Sequence, residues 1–285
     1  MDDKAFHKIS IVTPSFNQAH FLEDTIQSIL SQNYSNLEYI IIDGGSTDGS
    51  VDIIKRYADK LKYWVSEPDN GRGDAINKGF RHATGDIMAW LGCGDQYFPW
   101  TLRVVNEIFT ALPQIEWLTA TAFFFWYKAR IPCFGGYKSG FGKELFFNGA
   151  YLPGRWTIQQ ESTFWRRSLW TRAGSYINKD FRMVPDFELW ARFWKYAHLY
   201  ATTVPLGGTR VHKEQKGYLP EANAVAKSVL KYHHRNSNIK MFYHNACYTL
   251  SRIPILRRLI RSAAFTVNYN CDSDQWVIEK IRARI

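Results

Sequence analysis

The sequence predicts an α/β protein built on a doubly wound, mostly parallel sheet. Two observations carry that prediction. Short apolar runs alternate with helix-patterned segments through the first 125 residues, and a polar loop follows each run. The composition adds that 285 residues, 46% hydrophobic and 22% charged, suffice for one large domain with a well-buried core.

Ile9-Ser10-Ile11-Val12 reads as the first strand and Thr13-Pro14-Ser15-Phe16-Asn17 as the loop after it. Leu22, Ile26, Ile29 and Leu30 then share one helical face. Tyr39-Ile40-Ile41-Ile42 is a buried-type strand ending at Asp43. Residues 43–50 form a tight loop whose Asp48 or Ser50 can cap the helix carrying Val51, Ile54 and Tyr57. Tyr63-Trp64-Val65 is a third strand and 71–80 a third helix. Ile87-Met88-Ala89-Trp90-Leu91 is a fourth strand, and 100–109 is helical again. Sheets of this kind bind ligands at the carboxyl ends of their strands, so the loops after Val12, Ile42, Val65 and Leu91 are the candidate site.

Beyond Trp117 the rhythm breaks. Residues 120–127 read as a strand, 135–154 as a Gly/aromatic loop, and 165–174 and 186–196 as helices. Residues 1–215 are expected to form one catalytic-type domain and 216–285 a basic helical extension.

Aromatic residues reach 16%, with 11 Trp, which suits a site that stacks planar rings and equally an aromatic core. The four cysteines are far apart, which argues against a disulfide framework or a structural zinc site. No signal-peptide pattern precedes the first strand, so a cytoplasmic setting is expected. The net charge is +10. Residues 222–271 hold eight Lys/Arg and no Asp/Glu, including Arg257, Arg258 and Arg261 among apolar neighbours. Contact with an anionic membrane surface and a solvated basic face both fit that pattern. No nucleic-acid motif accompanies it, and no nucleic-acid partner is expected.

Five stretches in order then carry a resemblance. They are 11–17, 43–50, Ser66-Glu67-Pro68-Asp69-Asn70-Gly71 through Gly79, Ala83-Thr84-Gly85-Asp86 through Pro99, and Asp186-Phe187-Glu188-Leu189-Trp190. Together, across residues 9–215, the chain resembles the inverting family 2 glycosyltransferases of the glycosyltransferase-A fold, of the bacterial polysaccharide-assembly type. The resemblance implies transfer of a sugar from a nucleoside diphosphate to a hydroxyl of a glycan or lipid-linked glycan, and the basic segment 222–271 is expected to bring the protein to the inner face of the cell membrane.

It also implies roles for residues. Thr13, Pro14, Asn17, Asp43, Asp69 and Arg72 are expected to cradle the nucleotide, with Thr13 and Asp43 towards the base and Arg72 towards phosphate. Asp186 takes the place of the base that accepts the acceptor's proton. Gln160 and Glu161 take the acceptor side. At the Asp-x-Asp site of the family this sequence has Gly92-Cys93-Gly94-Asp95, so only Asp95 remains, with His212 as a second candidate ligand for Mg²⁺ or Mn²⁺. Glycine offers no side-chain oxygen. The loss leaves open metal binding through Asp95, neutralisation by cationic side chains, and a non-catalytic module that binds sugar nucleotides or glycans.

Overall fold

The structure is a computed structural model and describes residues 6–126, 132–153, 157–210, 219–233 and 261–284. The first half runs β1 (Ile9–Ser15), α1 (Ala19–Leu30), β2 (Leu37–Asp43), α2 (Ser50–Arg56), β3 (Tyr63–Ser66), α3 (Arg72–His82) and β4 (Ile87–Trp90). Then come β5 (Gln96–Tyr97), α4 (Thr101–Ala111), β6 (Trp117–Ala120), β7 (Ala122–Trp126) and β8 (Pro132–Tyr137). The second half holds α5 (Lys143–Phe147), β9 (Phe164–Arg166), α6 (Arg167–Arg172), α7 (Pro185–Phe193), β10 (Tyr200–Thr202) and β11 (Gly207–Arg210). Last are α8 (Leu219–His233), β12 (Arg261–Asn270) and β13 (Gln275–Arg284).

Nine strands form one sheet in the order β13-β12-β10-β6-β9-β4-β1-β2-β3. Its pairs are parallel except those of β9 with β4 and β6 and of β13 with β12. A smaller sheet, β5-β11-β7-β8, stands beside it.

The period of two along the strands sorts the core into two layers. Ile9, Ile11, Tyr39 and Ile41 face α1, α2 and α4 through Leu22, Ile26, Ile54, Leu102 and Val105. Val12, Ile40, Ile42, Met88 and Trp90 face the other way, onto Ile76 and Phe80 of α3 and Leu189 and Trp190 of α7. The tryptophans serve mainly this second layer. Trp90, Trp117, Trp165 and Trp190 are fully buried, and their rings meet at centroid distances such as 5.3 Å for Trp117 and Trp190. Of the rings that could have stacked a sugar, Trp165, Trp170 and Trp190 are core residues. Trp156 lies outside the described residues.

Four expectations need correction. β1 runs on to Ser15, pairing Thr13 with Ile41 and Ser15 with Asp43. Its ladder with β4 ends at Val12 and Trp90, so the N–H that Pro14 lacks would have pointed where no strand continues. The Gly/aromatic stretch 135–154 contains the end of β8 and the helix α5. Residues 120–127 are divided between β6 and β7. In the loop 43–50, the N-cap of α2 is Gly49. Asp48 instead spans two helices, accepting from Ala19 N at 2.8 Å and from Ser50 N at 3.1 Å.

The extension is the largest difference. Among its described residues only α8 is helical, and 261–284 form a hairpin that enters the main sheet. β12 pairs in parallel with β10, Tyr200 opposite Phe265. The sheet therefore crosses the expected boundary at 215/216. The cationic residues read as a solvated helical face lie partly on a strand whose Ala264 and Val267 are buried.

Candidate active site

The carboxyl ends of β1, β2 and β3 open onto a cavity of about 530 Å³ lined by Pro14, Ser15, Phe16, Gly44, Asp69 and Arg72, among others. Beside it lies an inner cavity of about 330 Å³. Its lining includes Trp90, Asp95, Gln160, Glu161, Asp186 and Thr209, and again Arg72. Arg72 is the first residue of α3 and borders both spaces.

Pro14, Asp69 and Arg72 line the outer cavity. Thr13 does not. The strand's alternation turns its side chain inward, where its Oγ1 accepts from the Tyr39 hydroxyl at 3.1 Å. Asp43 is also wholly buried. Its carboxylate accepts from Ser46 N at 2.8 Å, Ser46 Oγ at 2.6 Å and Ser66 Oγ at 2.7 Å. It braces the loops beneath the cavity. Asn17, at φ +50, clasps loop to loop: its Oδ1 accepts from Thr47 N at 2.9 Å and its N–H donates to Ser46 Oγ at 2.7 Å.

Two further residues shape the outer cavity. Phe16 presents a ring that is 60% exposed. Gly44 makes room for it: a Cβ there would lie 2.8 Å from Asp69 Oδ2 and 3.1 Å from Phe16 Cδ2. The carboxylate of Asp69 thus fills the space beside Gly44 that a larger residue would need.

The inner cavity gathers three carboxyl groups. Glu161 is 93% buried by its 7% exposure, and its Oε1 has no hydrogen-bond partner among the described residues. Burial, then the charges of Asp95 and Asp186, push its carboxyl up to about 8. Burial also raises Asp95, although Thr209, Arg210 and Arg72 oppose the rise. Burial raises Asp186 too, against the Arg72 charge. Asp186 sits in the first turn of α7, after Pro185 at the helix start. Gln160 donates to the Trp90 carbonyl and so holds the short 3-10 turn 160–162 against β4. Phe123 and Phe125, alternate residues of β7, complete the wall.

The loop after β4 has a rigid shape. Asp95 Oδ1 accepts from Thr209 Oγ1 at 2.7 Å and Arg210 N at 3.3 Å. Gly94 has φ +101, a conformation that other L residues rarely adopt. A Cβ at Gly92 would lie 2.8 Å from Asp95 Oδ2. His212 lies outside the described residues.

Residues 10–124 match the sequence profile described as Glycosyl transferase family 2. An uncharacterised glycosyltransferase of Nostoc sp. is 38% identical over 106 residues, 36% of this chain and 33% of the relative. Another, of Rickettsia typhi, is 25% identical over 208 residues, 73% of this chain and 65% of the relative. Over residues 10–124 the chain is similar to the family 2 glycosyltransferases. Its matched stretch spans about a third of the Nostoc relative's length.

Among solved structures, the chain resembles S. aureus TarS 1–349 in complex with UDP, with TM-score 0.60 and 14% identity over 87% of this chain and 72% of that one. It also resembles the mannosyltransferase PcManGT of Pyrobaculum calidifontis in complex with GDP-Man and Mn²⁺. There the TM-score is 0.53 and the identity 16%, over 91% of this chain and 85% of that one. These likenesses are of fold. The residues here fit such an ion poorly. Among the described residues no group of three His, Cys, Asp or Glu could hold a metal. The backbone at Gly94 disfavours a side chain, and one at Gly92 would have to displace the Asp95 carboxylate.

Proposed function

We propose that this chain transfers one sugar from a nucleoside-diphosphate sugar to a hydroxyl of a glycan or lipid-linked glycan, inverting the anomeric carbon. The observation that carries this reading is the pair of adjoining cavities, with Arg72 bordering both and Asp186 in the inner one. The outer cavity takes the nucleotide. Phe16 stacks the base, and Asp69 accepts from its edge in place of the buried Asp43. The sugar and acceptor meet in the inner cavity. There Asp186 accepts the acceptor's proton as its oxygen attacks the anomeric carbon. Gln160 and Glu161 contact sugar hydroxyls. UDP in the TarS complex and GDP-Man in the PcManGT complex support a nucleotide donor of this class.

The test is a screen of UDP- and GDP-sugars with the full chain and glycan acceptors. It follows nucleoside diphosphate release and reads the product's anomeric configuration by NMR. An inverted linkage is expected, and a retained one would overturn the mechanism. The glycines at 92 and 94 favour one alternative, a module that binds without turnover. Saturable nucleotide binding with no release across the screen would select it.

Phe16→Ala is expected to weaken binding of UDP or GDP about tenfold, since stacking of a base on an aromatic ring contributes roughly 1–3 kcal/mol. Calorimetric titration reads this directly. Phe16 is exposed, so its loss leaves the core untouched.

The cationic stretch 222–271 is further proposed to hold the protein at an anionic membrane surface. Its residues 234–260 lie outside the described ones, and the proposal rests on charge alone. No helix among the described residues is long and apolar enough to cross a membrane. Flotation with anionic vesicles should fall when Arg257 and Arg258 are replaced by Glu. Equal flotation of both proteins would overturn it.

A further inference from the structure

The loop after β4 differs from a metal-binding loop in more than the loss of side chains. The backbone at Gly94 (φ +101) strains any L residue, and the space beside Gly92 already belongs to Asp95 Oδ2, 2.8 Å from a Cβ placed there. A side chain at 94 would require rebuilding the loop, and one at 92 would have to displace the Asp95 carboxylate. Asp95 in turn has Oδ1 engaged by Thr209 and Arg210, which leaves one oxygen. A Mg²⁺ ion on a diphosphate is ordinarily held by one or two protein carboxylates besides phosphate oxygens and water, and here a single carboxylate oxygen is left for it.

A cation stands in the same region. Arg72 borders the outer and inner cavities and makes no ion pair within 4 Å among the described residues. Its charge reaches both Asp95 and Asp186. It starts α3, an eleven-residue helix whose positive end adds to the same potential. A guanidinium offers several fixed donors to phosphate oxygens and keeps its charge at every physiological pH.

Resting on the donor-site reading above, we propose that Arg72, and no divalent cation, neutralises the departing diphosphate, so that nucleotide binding and transfer are metal-independent. As the acceptor oxygen bonds to the anomeric carbon, the bond from that carbon to the β-phosphate oxygen breaks. Its electron pair leaves with the nucleoside diphosphate. The acceptor's proton passes to Asp186. The additional negative charge develops on the phosphate at the junction of the two cavities, where Arg72 meets it.

Calorimetric titration of the full chain with UDP and with GDP, each in Mn²⁺ and in EDTA, tests this. The nucleotide that binds is expected to keep its Kd within about twofold in EDTA. Arg72→Gln is expected to weaken it at least tenfold, as loss of a charge-assisted hydrogen bond does, and Mn²⁺ is expected not to restore it. Arg72 is exposed, so the variant should fold, which its circular dichroism would verify. Binding that appears only with Mn²⁺, or an Arg72→Gln variant that binds as well as the parent, would overturn the proposal. Failure of both nucleotides to bind with or without Mn²⁺ would instead overturn the donor-site reading beneath it.

Discussion

Asp186→Asn is expected to lower turnover about a thousandfold while leaving the Kd for nucleotide within about twofold. General-base assistance contributes typically 10²–10⁴ in rate, and the amide keeps the shape of the carboxyl. Three carboxyl groups line the inner cavity, and their surroundings distinguish them. Asp95 is tied to Thr209 and Arg210. Glu161 faces two negative charges, Asp95 and Asp186, and with its burial they push its carboxyl up to about 8. It therefore keeps its proton at neutral pH and cannot accept another. Asp186 has the opposing charge of Arg72, and it is the carboxylate left free to act.

Two measurements separate these roles. Glu161→Gln should cost less than tenfold in turnover, because an amide imitates the protonated acid. The kcat/KM profile should fall on the acid side at a pKa above the 3.8 of an ordinary Asp, since Asp186 must be ionised and burial raises it. Retention of more than a tenth of the activity by Asp186→Asn would move the base elsewhere.

Glu188→Ala is expected to destabilise the fold by about 3–5 kcal/mol, the usual cost of leaving a buried charge without its partner. For a chain of this size that lowers Tm by roughly 6–10 °C. Glu188, two residues beyond the proposed base, is 1% exposed. Arg192 donates to it at 2.9 Å from Nη2, and His233 of α8 lies 3.1 Å from its Oε1. Arg192 also donates to the carbonyls of Ala173 and Tyr176. Removing Glu188 therefore frees a buried guanidinium, the end of α8 and the loop before α7 at once. Burial works to raise the Glu188 carboxyl, but the bonds from His233 and Arg192 outweigh it and hold the group below its ordinary value. The stabilisation is thus in force above the ordinary Glu range and is lost as pH falls through the lowered native value. Thermal melts at neutral and acid pH should show the parent and Glu188→Ala converging at the acid end. A variant that melts within 2 °C of the parent at neutral pH would show the network to be dispensable.

The parallel half of the sheet was legible because β1, β2 and β4 carry their signal locally. Ile9 and Ile11 alternate with Ser10 and Val12, and each set meets helices whose apolar faces recur at helical spacing. Proline misled at Thr13. A proline in an apolar run reads as a turn, and only the early end of β4 shows why a strand tolerates it. Asp43 could not be placed from sequence, since its partners Ser46 and Ser66 come from the following loop and from the end of β3. Phe16 was visible but was read as part of a loop string. Phe123 and Phe125 had the alternation of a wall, and no motif singled them out. The hairpin 261–284 was missed because its charges dominate its short pattern of small buried residues.

That hairpin has a consequence for how the chain is made. β12 pairs with β10, yet it follows only after β11, α8 and a long intervening stretch. During synthesis this edge of β10 must wait, unpaired, until β12 emerges from the ribosome. Open strand edges recruit other chains, and distant pairings form late. Loss of β12 and β13 would therefore threaten solubility first, through aggregation at the bared edge of β10, even though every proposed catalytic group lies upstream.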